Sequence, residues 1–139
     1  MKKNRNMNLL KVKNRLILFI LLMASSTLMA QKADDIIGKY HLPNNMDVSI
    51  YKQGNKYFGK IIRLYNDQQV PDTTSSLIGK VIIRNLKFDD KDKQWVDGTM
   101  YAPDKDMTFN LKVTEMRKNE IVVTGSKFII HKTLIWKKI

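Results

Sequence analysis

Between Met107 and Thr114 every second residue is apolar: Met107, Phe109, Leu111 and Val113 alternate with Thr108, Asn110, Lys112 and Thr114. A period of two sends alternate side chains to opposite faces, so this segment reads as a strand with one buried and one wet face. Met46, Val48 and Ile50 alternate with Asp47 and Ser49 in the same way. Turn chemistry cuts the remaining apolar runs at short intervals. Gln53-Gly54-Asn55 separates Ile50-Tyr51 from Tyr57-Phe58 and reads as a tight hairpin. Asp89 to Lys93 divides Val81–Phe88 from Trp95–Tyr101, and Ala102 to Asp106 divides that run from the Met107 strand. Arg117-Lys118-Asn119 leads into Ile121-Val122-Val123, and the last run, Phe128 to Ile139, reads as one long strand or a bent pair.

Seven or eight short antiparallel strands joined mainly by hairpins leave two exposed edges unless the sheet closes on itself. Closure makes an up-and-down β-barrel, and the alternative is a sandwich. One long connection interrupts the pattern: Asn66 to Ile78, with Pro71, Asp72 and the hydroxyl run Thr73-Thr74-Ser75-Ser76. Connections of about a dozen residues are frequently lids or binding loops, so this one is expected to gate any opening. The expectation is an all-β fold, a small antiparallel up-and-down barrel preceded by a signal peptide.

The signal peptide is read from residues 1–30. Lys2, Lys3, Arg5, Lys11, Lys13 and Arg15 precede the apolar core Leu16 to Met23, and small residues lead to Leu28-Met29-Ala30. A basic stretch, a short apolar core and a small residue at the cut describe a secretory leader, with cleavage expected after Ala30. The apolar core is shorter than the roughly 20 residues that span a bilayer, although an uncleaved anchor is the alternative. No cysteine follows it, which excludes a lipid-anchored lipoprotein. Residues 31–139 are then a single domain, periplasmic or secreted. Six of the 25 basic residues and none of the 13 acidic ones lie in the leader, so its removal takes the net charge from +12 to +6. The basicity of the whole chain is therefore no argument for nucleic acid. The absence of cysteine leaves the domain without disulfides, and the core must hold the fold alone.

The order and spacing of six short elements resemble the domain-of-unknown-function family 2147 of exported bacterial proteins. They are Gly38-Lys39-Tyr40, Val48-x-Ile50-Tyr51, Tyr57-Phe58-Gly59-Lys60-Ile61, Gly79, Trp95-x-x-Gly98-x-x-Tyr101-x-Pro103 and Lys132-Thr133-x-x-Trp136-x-Lys138. The resemblance implies a small barrel of lipocalin-like (calycin) topology and export, and no particular activity. It also implies that Gly38 and Tyr40 meet a cation late in the last strand, Lys132 or a lysine beside Trp136, to close one end of the barrel. The chain departs from the family at Tyr40, where a tryptophan is usual, and at Asp106, Ser126 and His131, where glycines are usual. An altered hairpin is expected there.

Chemistry-bearing residues are sparse. His41 and His131 lie in unrelated segments, there is no Gly-x-Ser-x-Gly element, and no enzyme activity is read from the chain. Two separated histidines do not make a zinc site. Asp89, Asp90, Asp92 and Asp97 lack the glycine and glutamate of a calcium loop, so neither metal nor cofactor is expected. Lys60, Arg63, Arg84 and Lys112 are spread over all strands and read as a solvated surface. The aromatics are the remaining signal. Tyr57, Trp95, Tyr101, Phe109 and Trp136 are candidates to line a lumen for a small apolar or amphipathic ligand. Core filling competes, since eight short strands enclose little more than their own side chains. The function expected is binding of such a molecule in the cell envelope; the alternative is an envelope interaction module with a solid core. After cleavage no membrane-spanning segment is expected, and the sequence is silent on oligomeric state.

Overall fold

The computed structural model describes residues 8–17 and 30–139. Residues 8–17 are helical. They belong to a unit, residues 1–30, that is compact separately from residues 31–139. Most of the apolar core of the expected leader lies outside the described residues. No helix among the described residues is long and apolar enough to cross a membrane.

Residues 31–139 begin with a 3-10 turn, Ala33–Ile36, followed by β1 (Gly38–Leu42), β2 (Met46–Gln53), β3 (Lys56–Tyr65) and the two-residue β4 (Pro71–Asp72). Then come β5 (Val81–Asp89), β6 (Gln94–Ala102), β7 (Met107–Met116), β8 (Glu120–Lys127) and β9 (Ile130–Lys138). Each long strand pairs antiparallel with its sequence neighbour, and β5 pairs with β3 across the long connection. The pairing of β1 with β9, Tyr40 opposite Lys138 and His41 opposite Lys137, closes the ring. Eight strands thus form a closed barrel with β4 as a short appendage on β3. Closure removes the free edges that a sandwich would leave.

The alternation read from sequence sets the inner wall. Tyr40 and Leu42 of β1, Met46, Val48 and Ile50 of β2, and Leu111 and Val113 of β7 are all buried. Gly54 turns the β2–β3 hairpin at φ +64°, a conformation that costs glycine little. Gly98 has another use: a Cβ there would lie 2.5 Å from the Leu86 side chain, so the missing side chain lets β5 and β6 fill the interior together.

Three connections differ in detail from expectation. Phe128 to Ile139 does hold one long strand, β9, but it starts at Ile130: β8 runs on to Lys127, and Phe128-Ile129 is the two-residue turn between them. The connection after β3 is not a lid. Asn66 Oδ1 accepts from the backbone N–H groups of Gln68 and Val70, β4 pairs back onto β3, and the Gly79 N–H donates to the Ile61 carbonyl at 2.7 Å. The segment is folded against the wall of its own strand. Asp106 stands where the family favours glycine, yet the turn survives, with Asp106 at φ +46° and accepting from the Tyr101 hydroxyl at 2.8 Å.

Candidate functional site: a barrel closed at one end and hollow at the other

Hairpin connectivity sorts the turns to two ends. One end carries the 3-10 turn and the β2–β3, β5–β6 and β7–β8 turns; the other carries the β1–β2, β6–β7 and β8–β9 turns and the long connection. The first end is sealed. Trp95 Nε1 donates to the Ala33 carbonyl at 2.8 Å, the Tyr40 hydroxyl donates to the Ile36 carbonyl at 2.8 Å, and the Tyr57 hydroxyl donates to Asp34 Oδ1 at 2.5 Å. Lys52 adds a second donor to Asp34 at 3.0 Å. The Gln31 side chain joins the Lys93 carbonyl to the Met116 N–H. Ile36 is fully buried beneath these bonds, so the 3-10 turn acts as a stopper.

The stopper shifts titration in a consistent way. Hydrogen bonds from Tyr57 and then Lys52 hold the Asp34 carboxyl below its ordinary value. Burial, and then Asp34, push the Tyr57 hydroxyl well up, and burial with the nearby Asp35 pushes Tyr40 up to about 12.

The second end is open. Between Trp136 and the turns lies a cavity of about 380 Å³, within the range of roughly 300–1,000 Å³ typical of small-molecule sites. Its wall is apolar: Leu42, Met100, Ala102, Phe109, Leu111, Val123 and Leu134. Its rim is polar and mostly cationic, with Lys105, Lys127 and Lys132 against one acid, Asp104. The wall also includes Trp136, 2% exposed, whose Nε1 has no hydrogen-bond partner among the described residues. An unpaired buried N–H is costly, and here it belongs to a residue of the cavity wall. Gly125 widens the same wall, since a Cβ there would press on the Phe109 ring at 3.0 Å. A second depression, outside the barrel around Asp97, Lys112 and His131, is larger, about 770 Å³, but its lining is far more polar.

Of the five aromatics singled out from sequence, Phe109 and Trp136 line the cavity. Tyr57 and Trp95 do not: both are buried at the sealed end and hold the stopper. Tyr101 points to the outer wall, capped by Asp106 and by Lys80, whose Nζ is 4.7 Å from the ring centre. Period-two alternation tells inside from outside, but not one end of the barrel from the other. The closure expected from Gly38, Tyr40 and Lys132 also needs revision. Gly38 and Tyr40 are at the sealed end, while Lys132 pairs with Gly125 at the open rim. Lys138 is the cation opposite Tyr40, its Cε 3.4 Å from where a Gly38 Cβ would stand. The seal is made by the stopper's hydrogen bonds. No residue from 66 to 80 lines the cavity.

The sequence reading missed a cluster on the outer wall. Asp47, only 1% exposed, accepts from the Tyr65 hydroxyl at 2.7 Å and lies 2.6 Å from His41 Nδ1, with Arg63 at 3.9 Å. Its place among Met46 and Val48 marked it as the wet face. A bulge between Asp47 and Val48 sets it against Arg63 instead, where His41 and Tyr65 cover it. Among the described residues no three His, Cys, Asp or Glu side chains could hold a metal.

A family described as uncharacterised and conserved in bacteria, DUF2147, matches residues 38–138. The chain belongs to the DUF2147 family. Among solved structures it is similar to protein HP1028 from Helicobacter pylori, described as belonging to the lipocalin family. The TM-score is 0.61 at 17% identity, over 76% of this chain and 83% of that one. That likeness shows the fold: this DUF2147 barrel has the lipocalin-like topology. No curated protein matches the sequence.

Proposed function

We propose that this DUF2147 protein is exported and binds one small amphipathic molecule in the open half of its barrel. The apolar tail would lie against Met100, Phe109, Leu111 and Leu134, and an anionic or polar head would face Lys105, Lys127 and Lys132. The observation that carries the reading is the apolar cavity of about 380 Å³ beneath a lysine rim, in a barrel whose other end is stoppered. A barrel filled solely for stability would extend its packed core to both ends. Trp136 Nε1 supports the reading further, as a buried donor available to an acceptor on the ligand. The lipocalin-like neighbour is consistent with it.

Native mass spectrometry of protein purified from the bacterial envelope is the direct test. A bound small molecule, displaced by a fluorescent fatty acid, is the expected result. A ligand-free spectrum together with no uptake of the probe would overturn the reading in favour of a surface-acting envelope module. N-terminal sequencing of the same material tests export: the expected first residue is Gln31, and an intact leader would show an anchored protein.

A further inference from the structure

The β8–β9 turn is built from bulky apolar residues, where the β2–β3 turn uses Gly54-Asn55 and the β1–β2 turn Asn44-Asn45. Phe128 and Ile129 are 90% and 92% exposed, and Ile130 beside them is 71% exposed. Two-residue hairpin turns ordinarily take Asn, Asp or Gly, because the backbone enters the left-handed region. Here Phe128 occupies it at φ +55°. Bulky residues are rare there, and such strain persists where function retains it. The tip is also placed at the cavity: Lys127, Ile130 and Lys132, immediately around it, are wall residues of the mouth. Met107, 39% exposed, stands across the same opening.

We infer that this hairpin tip docks the barrel, mouth first, on an anionic lipid bilayer. Phe128, Ile129 and Ile130 enter the boundary between headgroups and acyl chains, and Lys127, Lys132 and Lys105 meet the phosphates. Apolar side chains flanked by lysines are the pattern that seats a protein at a membrane interface, where apolar burial and attraction to anionic lipid add. Size argues against a protein partner. Even at about 250 Å² apiece, the upper figure for an aromatic, three side chains offer less than the roughly 800 Å² per partner of a stable interface. The tip is a convex finger, suited to a fluid interface rather than to a flat one. The docking stands on the hairpin itself. Its purpose, passage of the ligand between bilayer and cavity without crossing water, rests on the function proposed above.

The chain has no cysteine, so one introduced thiol takes one label. An environment-sensitive fluorophore on Ile129→Cys, in the full chain, is titrated with vesicles of phosphatidylcholine containing phosphatidylglycerol. The same label on Asn55→Cys, at the sealed end, is the control. The expected result is a blue shift at position 129 and none at 55, weakened by pure phosphatidylcholine and by high salt. Because the label reports its own surroundings, membrane binding by residues 1–30 alone would leave position 129 unshifted, and that outcome overturns the proposal. Equal shifts at both positions, or a concentration-dependent shift at 129 without vesicles that marks a second copy of the chain, also overturn it. Phe128→Ser with Ile129→Ser should lower vesicle affinity at least about tenfold while uptake of a soluble fluorescent fatty acid, measured without vesicles, is unchanged. Loss of probe uptake in the parent chain would instead count against the cavity reading and leave the docking result standing.

Discussion

Trp136 is asked to do two things at once. Its ring packs into the core beside Ile121, its partner on β8, while the face toward the turns borders the cavity. Trp136→Ala should therefore cost about 3–5 kcal/mol in chemical denaturation, through lost packing and the space left behind. Trp136→Phe should keep most of the stability, because it removes an unpaired donor as well as volume, yet weaken any ligand that uses the indole N–H. Lys132→Ala, exposed at the rim, should leave the melting temperature within a degree or so of the parent, as surface substitutions do, and reduce uptake of an anionic probe. If Trp136→Ala melted like the parent, the residue would be no part of the core. Tyr40 gives the alkaline counterpart. Its hydroxyl is held neutral by burial, with the folded value raised from 10 to about 12. The unfolded chain gives up that proton first, so stability is intact below pH 10 and falls as pH rises from about 10 toward 12. Tyr40→Phe should flatten that limb of a pH–stability profile.

At the scale of elements, the stopper and the β8–β9 hairpin are the two parts with separable behaviour. Asp34 is held below its ordinary value by Tyr57 and Lys52, which means the folded state favours the carboxylate. That contribution is present at neutral pH and is lost as pH falls through the carboxylate range. Protection of the Ile36 and Ile37 amides, measured against the unstructured exchange rate at the same pH, should fall on acidification before that of the strands, and Asp34→Asn should show the lower protection already at neutral pH. For the hairpin, Phe128→Gly should raise stability by about 1 kcal/mol, since glycine accepts a left-handed φ that a bulky L-residue resists. A change that stabilises the fold and weakens docking would separate the two at one residue. These two elements also mark where the sequence was legible and where it was not. Strand positions between Met46 and Val123, and the turns at Gly54, Asp89–Lys93 and Ala102–Asp106, followed from alternation and turn chemistry. The hairpin at Phe128-Ile129 did not, because its residues carry strand propensity and the reason for placing them at a tip is not a folding reason. Tyr57 and Trp95 were mistaken for lumen residues because inward-facing aromatics look alike until the stopper, some sixty residues from Trp95 in sequence, is laid beneath them.

The whole barrel is closed by its thinnest seam. β1 and β9 share two paired positions, extended by a backbone bond from Ile139 to the Lys39 carbonyl. Against this, β8 and β9 pair from Glu120–Lys137 through Lys127–Ile130. Removing residues 137–139 should leave the hairpins able to form but expose β1 and the shortened β9 as edges. Loss of a single cooperative melting transition, together with self-association, is the expected outcome in calorimetry and light scattering.

That seam joins Tyr40 to Lys138, nearly the full length of the domain apart along the chain. A ring that is locked only when β9 reaches β1 has no finished state until both strands have been made. Until then the earlier strands lack the neighbour that would commit them. Pairings of such long range also form slowly, which prolongs the unfolded interval that the export proposed above would use.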